Sequence, residues 1–160
     1  MKTNTEKQIT IRLYEDKDWQ RLCEIHDAAR IDELRGSVDL AAFLTLEQAY
    51  ENEGLFDGEV WVAVMHKNVV GFVAVETTPD WVSWLYVDPK QYRKGIGQQL
   101  LVQAIRRCPS NEVKVSLLSG NTAALSLYQK LGFKVMQRKR GKLAGNEGFE
   151  AEGLIMKLLK

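Results

Sequence analysis

The sequence predicts an α/β fold in which helices cover a mixed, mostly antiparallel sheet. Apolar, β-branched runs typical of strands occur in the middle of the chain, and apolar residues recur with the helical period on both sides of it. In the second half, strand patterns and helix patterns alternate, which is typical of helices that pack on a sheet. The length of 160 residues suits a single domain, 1–160.

The first half predicts a strand, two helices and a three-strand meander. The predicted elements are a strand at 9–13, a helix from Asp16 or Asp18 to Arg30, a helix from Asp39 to near Gly54, and strands at 60–65, 69–75 and 81–87. Two turns join these strands, one at Lys67-Asn68 and one at residues 77–80.

The second half predicts helices and strands in alternation, followed by two strands. The predicted elements are helices at 95–107 and from Asn121 or Thr122 to Leu131, and strands at 113–118, 133–138 and 153–159. A loop rich in glycine and lysine, 139–149, is predicted between the last two strands.

Composition and charge argue against several classes of protein. The formal net charge is +1, which is not typical of proteins that bind nucleic acid or membranes mainly by electrostatics. Residues 1–8 are polar and charged, and no apolar run reaches the length of a membrane span. Cys23 and Cys108 form no metal-ligand pattern and predict free thiols. We therefore expect a cytoplasmic protein with no metal, nucleic acid or membrane partner.

A basic glycine loop, Gln91 to Gly97, follows the strand that ends at Val87-Asp88-Pro89. It precedes an amphipathic helix, and the first N–H groups of a helix have no partner within the helix. Glycines allow a phosphate to approach those groups closely, while Arg93 and Lys94 add positive charge. The loop lacks the Lys-Ser/Thr pair of a P-loop and the third glycine of a dinucleotide fingerprint. A third candidate is a loop for the pyrophosphate of coenzyme A, and a turn that only caps the helix is the alternative.

A second motif lies on the next predicted helix and extends to Gly132-Phe133, where that helix ends. Its residues are Asn121, Ala124, Tyr128, Gly132 and Phe133. With Gly95, Gly97 and Leu100-Leu101, the chain resembles the GNAT superfamily of N-acetyltransferases, whose two patterns are Arg/Gln-x-x-Gly-x-Gly/Ala and Asn-x-x-Ala-x-x-x-Tyr-x-x-x-Gly-Phe. One position departs from the family, because Tyr92 stands where Arg or Gln is usual.

The resemblance implies the GNAT acyl-CoA N-acyltransferase fold, with a splayed central strand pair, and acetyl-CoA as co-substrate. It implies that Tyr128 is catalytic and donates a proton to the sulfur of coenzyme A; a core tyrosine is the alternative. Asn121 is expected to bind the pantetheine arm, to cap its helix, or both. The predicted cofactor-binding residues are Leu85, Tyr86, Val87, Tyr92, Arg93, Lys94, Gly95, Ile96, Gly97, Gln98 and Asn121.

The sequence identifies no general base. Some relatives place a glutamate where this chain has Ser116, and others place one on the thioester-binding strand, where this chain has none. Glu76 and His66 are interpreted as solvated side chains, and His26 as a histidine satisfied by its surroundings. A chain of water molecules is the alternative route for the proton.

By resemblance, residues 28–56 and 139–150 select the acceptor. Carboxylates in the first range suit a cationic amine, although solvated helix faces explain them equally well. The candidate lining residues are Asp32, Glu33, Asp39, Glu47, Glu51, Glu53, Phe43, Tyr50, Phe56, Trp81 and Trp84.

The predicted function is transfer of an acetyl group from acetyl-CoA to a primary amine of a small molecule or peptide, by direct attack in a ternary complex. A non-catalytic acyl-CoA sensor or scaffold with the same fold is the first alternative. A nucleic-acid-binding module is the second, and it rests on the basic run from Lys134 to Lys142. A homodimer is compatible with the resemblance, with the hydrophobic final strand pairing across it.

Overall fold

The computed structural model of the protein describes residues 8–77 and 80–160. The strands are β1 (Thr10–Leu13), β2 (Glu59–Met65), β3 (Asn68–Thr77), β4 (Asp80–Val87), β5 (Glu112–Leu118), β6 (Lys134–Lys142) and β7 (Glu150–Leu159). The helices are α1 (Trp19–Leu34), α2 (Leu46–Ala49), α3 (Ile96–Arg107) and α4 (Thr122–Lys130), with short 3-10 helices at Asp16–Asp18, Leu40–Ala42 and Pro89–Gln91. Two predictions, on the polar segment before residue 8 and on Thr78-Pro79, lie outside the described residues.

The described strands form one sheet in the order β1-β2-β3-β4-β5-β7-β6. Strands β4 and β5 are parallel, and the other neighbouring pairs are antiparallel. This confirms the mixed, mostly antiparallel α/β fold. Helix α3 connects β4 to β5, as a crossover between parallel strands requires.

The central pair of strands, β4 and β5, separates soon after it begins. Only Trp81 with Lys114 and Val82 with Val115 are paired. On its other side β4 stays paired with β3 as far as Val87, and β5 pairs with β7 along its whole length. A wedge-shaped gap therefore opens between residues 83–87 and 116–118, which is the predicted splay.

The two faces of the sheet are covered by different helices. Leu100 and Leu101 of α3 are fully buried in a cluster that also contains Tyr128 of α4. Leu22 and Ile25 of α1 pack on the opposite face with the aromatic residues of the meander. Helix α3 has a marked apolar face of the helical period, which explains why this element was predictable.

The segment predicted as a second helix, 39–54, is instead two short helices. Asp39 accepts a hydrogen bond from the N–H of Ala41, and Thr45 accepts one from Gln48, so each side chain starts a new turn. Between them Phe43 is extended, with φ −61° and ψ 130°. The prediction was wrong here because Asp39 was placed at the start of one continuous helix, and the second capping residue, Thr45, was read as lying inside it.

The last hairpin is longer than predicted. Strand β6 continues to Lys142, which pairs with Glu150, so residues 139–142 of the predicted loop 139–149 are strand and 143–149 form the connection. All nine residues of β6 are exposed, and an exposed edge strand has no apolar alternation to reveal it. Strand β7 lies between β5 and β6, so the predicted pairing of the final strand across a dimer is wrong.

Smaller differences concern turns and helix ends. The meander's first turn is His66-Lys67, both with positive φ, rather than Lys67-Asn68. Helix α1 ends at Leu34 instead of Arg30. Cys23 and Cys108 are free, as predicted. None of the helices within 8–77 and 80–160 is long and apolar enough to cross a membrane.

A buried ion pair holds the start of α1 against β1. Asp18 is 4% exposed and accepts two hydrogen bonds from Arg12, at 2.8 and 2.9 Å, and one from the N–H of Glu15. The Arg12 hydrogen bond lowers the pKa of Asp18. Its stabilising effect is therefore present above the ordinary aspartate pKa, and it is lost as the pH falls through the lower pKa of the folded state.

We expect Asp18→Asn to lower the free energy of unfolding by about 2 kcal/mol at neutral pH, because hydrogen bonds to charged groups are worth that much. Urea denaturation at several pH values measures the effect. The difference from the unchanged protein should shrink in acid. Asp16→Asn, an exposed neighbour, is the control; an equal loss in both variants would contradict the role of the Arg12 pair.

Candidate active site

The loop between β4 and α3 contains two residues with left-handed backbone and leads into the start of α3. Arg93 and Gly95 both have left-handed backbone, with φ of 64° and 81°, and Gly95 is the residue that precedes α3. Arg93, Lys94 and Gly95 are exposed. A loop of this conformation ahead of a helix is a site for anions.

The N–H groups from Arg93 through Gln98 have no hydrogen-bond acceptor among the described residues. The next N–H, that of Gln99, is the first to be paired, and it donates to the carbonyl of Gly95 at 3.1 Å. Six consecutive free donors with two exposed cationic side chains fit the oxygens of a pyrophosphate. This donor set is the structural reason to accept a CoA-type ligand at the loop.

Tyr92, the residue that departs from the family pattern, contacts helix α1. Its hydroxyl donates to Asp32 Oδ2 at 3.2 Å, and 43% of the residue is exposed. Burial and the Asp32 carboxylate raise the pKa of Tyr92. The phenol is therefore uncharged at neutral pH, and its hydroxyl is directed to α1.

Strand β4 presents free backbone groups to the gap between β4 and β5. The N–H of Asp88 donates to the carbonyl of Val70 on β3 at 2.9 Å. Because backbone groups alternate in direction along an antiparallel strand, those of Tyr86 point to β3 and those of Leu85 and Val87 point into the gap. Of the three predicted residues, Leu85 and Val87 thus offer backbone groups there.

Helix α4 carries the other two predicted residues. Asn121 caps the helix, since its Oδ1 accepts a hydrogen bond from the N–H of Ala124 at 3.2 Å, and its amide nitrogen has no partner among the described residues. Tyr128 is 6% exposed and packs against Phe133, with 5.6 Å between ring centroids. Its hydroxyl bonds to none of the described residues. Burial, with a further effect from Glu33, raises the pKa of Tyr128, so it is protonated at neutral pH.

Gly97 brings the glycine loop, β4 and α4 together. A methyl group on Gly97 would lie 3.4 Å from Leu127 Cδ2 and 3.7 Å from Val87 Cγ2. Leu127 precedes Tyr128, so the start of α3 packs beside the end of β4 and the helix that carries the catalytic candidate. The predicted cofactor-binding segments therefore meet around the gap.

A cavity of about 710 Å³ opens from the gap toward α1 and the 139–146 segment. Four of the predicted acceptor residues line it: Glu33, Glu53, Trp81 and Trp84. Glu76 and Ser116, which were considered only in the search for a general base, line it too. The other candidates lie elsewhere: Tyr50 and Phe56 pack with Trp19, Phe43 packs in a separate cluster, and Asp39 caps a helix. Of the predicted site residues, Tyr86 lines this cavity.

A polar network that the sequence did not reveal crosses the cavity wall. Glu33 Oε1 accepts a hydrogen bond from the Tyr86 hydroxyl at 2.9 Å and another from Arg30. Arg30 and Glu33 lie on one face of α1, together with His26. The spacing of these three residues was the available signal, but the predicted helix ended at Arg30.

Comparison with known families decides the class of the protein. A model of the acetyltransferase (GNAT) domain matches residues 56–135, which is half of the chain. This chain belongs to the GNAT family. The GNAT chain is accordingly an acetyl-CoA-dependent acetyltransferase, and acetyl-CoA is its co-substrate.

Individual relatives agree with this class. The chain is 26% identical over 140 residues to the uncharacterized N-acetyltransferase YafP of Escherichia coli, across 86% of this chain and 89% of that protein. It is 34% identical over 83 residues to the peptidyl-lysine N-acetyltransferase YjaB of Salmonella typhimurium, across 51% of this chain and 54% of that protein. The structure of YncA from Salmonella typhimurium with its cofactor acetyl-CoA has the same fold, with a TM-score of 0.67, 24% identity and coverage of 94% and 93% of the two chains.

Proposed function

We propose that this GNAT domain transfers the acetyl group of acetyl-CoA to a primary amine of a small molecule or peptide, by direct attack in a ternary complex. The observation that carries the proposal is the gap between β4 and β5, which joins a donor-lined loop on one side to a 710 Å³ cavity on the other. A co-substrate that enters from the loop and an acceptor that enters from the cavity would meet there.

The residues of the loop and strand would hold the co-substrate. The free N–H groups of residues 93–98 suit its pyrophosphate, and Arg93 and Lys94 add charge. The free backbone groups of Leu85 and Val87 suit the pantetheine amides in the manner of a neighbouring strand. Asn121 keeps its amide N–H groups for the same arm while its oxygen caps α4.

Tyr128 would supply the proton for the leaving thiolate. Acetyl-CoA contributes an activated thioester, and amine attack on it leaves a sulfur anion that a nearby acid must neutralise. Tyr128 suits this role because its hydroxyl is protonated and has no bond to the described residues.

The cavity walls support an amine as the acceptor. Glu33, Glu53 and Glu76 line the cavity beside two tryptophans, which suits an amine on an apolar or aromatic body. Three basic side chains share the lining: Arg30, Lys139 and Lys142. The size of the opening suits either a small amine or a lysine side chain of a peptide. YjaB of Salmonella typhimurium is a peptidyl-lysine N-acetyltransferase, which favours including peptides among the candidates.

Two measurements test the proposal. Calorimetry with acetyl-CoA should show saturable binding, and a panel of amines comprising benzylamine, spermidine and a lysine-containing peptide should release free thiol. No binding at millimolar acetyl-CoA would contradict the proposal. Binding of acetyl-CoA without thiol release from any amine would favour the alternative function, a non-catalytic acyl-CoA sensor or scaffold.

Several expectations from the sequence remain part of this proposal. We propose that residues 1–160 act as one domain, in the cytoplasm, without nucleic acid or membrane as partners. Homodimer formation is compatible with the fold, although the exposed strand at the sheet edge is β6 and it is basic.

A further inference from the structure

A buried histidine on α1 borders the cavity without any part in the proposed function. His26 is 2% exposed and packs edge-on against Tyr86, with 4.9 Å between ring centroids. It also lines the cavity. An imidazole in this position faces the space where the acceptor amine would lie.

Asp27 fixes the orientation of the His26 ring. His26 Nδ1 lies 2.9 Å from Asp27 Oδ1, which also accepts a hydrogen bond from the N–H of Leu46 at 2.8 Å. Asp27 is thereby held between α1 and the start of α2. A carboxylate cannot donate, so the bond places the imidazole proton on Nδ1 and leaves Nε2 with a free lone pair.

The free nitrogen, Nε2, keeps access to the cavity. It has no hydrogen-bond partner within the described ranges. Among the described residues, the side-chain nitrogen or oxygen atom that has neither a hydrogen-bond partner nor contact with solvent is Ser37 Oγ. His26 Nε2 also lacks a partner but does not belong to this class, so it keeps some contact with solvent. Because the ring is covered on its other sides by Tyr86 and Trp84, its small accessible portion opens on the cavity.

The charges around His26 favour a neutral ring. Burial lowers the pKa of His26, Asp27 opposes that effect, and Arg30 adds to it. Glu33, on the same face of α1, raises the pKa of His26 and so opposes the effect of Arg30. On the β4 side the neighbour is Tyr86, which is uncharged because its own pKa is raised. The ring is therefore uncharged at neutral pH and able to accept a proton.

We propose that His26, oriented by Asp27, is the general base that accepts the proton of the acceptor amine at Nε2. This inference rests on the proposed acetyl transfer and adds the base that the sequence does not supply. The arrangement of carboxylate, imidazole and reacting proton is the same as in other enzymes that use histidine as a base.

The proton transfers balance around the gap. As the nitrogen–carbon bond to the acetyl group forms, the nitrogen becomes acidic and one of its protons passes to His26 Nε2. The carbon–sulfur bond breaks, and the proton of the Tyr128 hydroxyl passes to the sulfur. The products are an acetamide and free CoA thiol, and both side chains return to their starting states by exchange with solvent.

Nuclear magnetic resonance tests the tautomer without an acceptor. The sequence contains two histidines, His26 and His66, so a His66→Asn variant leaves one imidazole signal. Long-range proton–nitrogen spectra should show a protonated Nδ1 and an unprotonated Nε2, with titration below the ordinary histidine pKa of 6.5. A ring protonated at Nε2 would overturn the inference whatever the activity.

Kinetics test the role in catalysis. His26→Asn keeps a donor for Asp27 and removes the basic nitrogen, so we expect kcat to fall about 100-fold or more with the amine of the panel that releases thiol fastest. Calorimetry should give unchanged acetyl-CoA affinity. In the unchanged protein kcat/KM should decrease as the pH falls through the His26 pKa, and the variant should lack that step.

A partner variant separates the base from a structural histidine. Asp27→Asn should lower kcat less than His26→Asn and move the pH step, because the ring loses its anionic partner. Added imidazole should restore part of the activity of His26→Gly. Full activity of His26→Asn with an unchanged pH profile would refute the base, whereas absence of thiol release in the unchanged protein would refute the proposed function instead.

Discussion

Replacement of Tyr128 by phenylalanine is expected to lower kcat by about 100-fold or more, the usual contribution of a positioned acid. The change removes one buried hydroxyl and keeps the contact with Phe133. Because that hydroxyl bonds to none of the described residues, the fold loses little and the leaving thiolate loses its proton donor. Thiol release at saturating substrates measures the effect.

Acetyl-CoA affinity and stability provide the controls for this variant. Calorimetry should give the same affinity for Tyr128→Phe as for the unchanged protein, and the thermal midpoint should stay close to the original. Tyr14→Phe removes a hydroxyl from an aromatic cluster distant from the gap and should leave kcat unchanged. Equal turnover in both variants would remove Tyr128 from the mechanism.

Substitution of Gly95 by valine is expected to weaken acetyl-CoA binding by at least about tenfold, since it disturbs hydrogen bonds to a charged group. No atom lies within 4 Å of a methyl group placed at Gly95, so crowding is not the cause. The left-handed backbone at φ 81° is the cause, because a branched side chain there forces the loop to another conformation. The six free N–H groups would then no longer converge.

Gly36 is a matched control for this strain. It also has φ 81° and open space around it, but it lies in the turn after α1 and not in the loop. Gly36→Val and Gly95→Val should each cost roughly 1–2 kcal/mol of stability, the penalty of a left-handed residue. Weaker acetyl-CoA binding in Gly95→Val alone supports the loop as the pyrophosphate site, and equal affinity in both variants would contradict it.

Elements with a buried face were predictable from the sequence. Helix α3 buries an apolar face at the helical period, and β4 and β5 bury alternate residues, so periodicity located them. Strand β3 is buried along nearly its whole length and, like β2, was located as a continuous run of apolar residues. Strand β6 was cut short because it lies exposed at the edge, and the second helix was misread because Asp39 and Thr45 cap separate turns. These errors have local physical causes.

The arrangement of the site depended on contacts between distant segments. Two motifs indicated the loop and Tyr128, since each places its residues on one turn or one helix. No pattern within β4 or β5 states that their pairing ends at Val82 and Val115, because that depends on how both strands pack on α3 and β7. The free nitrogen of His26 likewise depends on Asp27 being held by Leu46, a residue of another helix.

The early separation of β4 from β5 has a consequence for the stability of the molecule as a whole. A sheet that is interrupted at its centre lacks several backbone hydrogen bonds between its two central strands. The backbone groups of Leu85 and Val87 are donors and acceptors for which β5 provides no partner. In the proposed complex the pantetheine arm completes the ladder as a substitute strand. Folding and cofactor binding are then thermodynamically coupled, because a ligand that fills the gap binds the native chain and not the unfolded one. Such a ligand raises the free energy of unfolding.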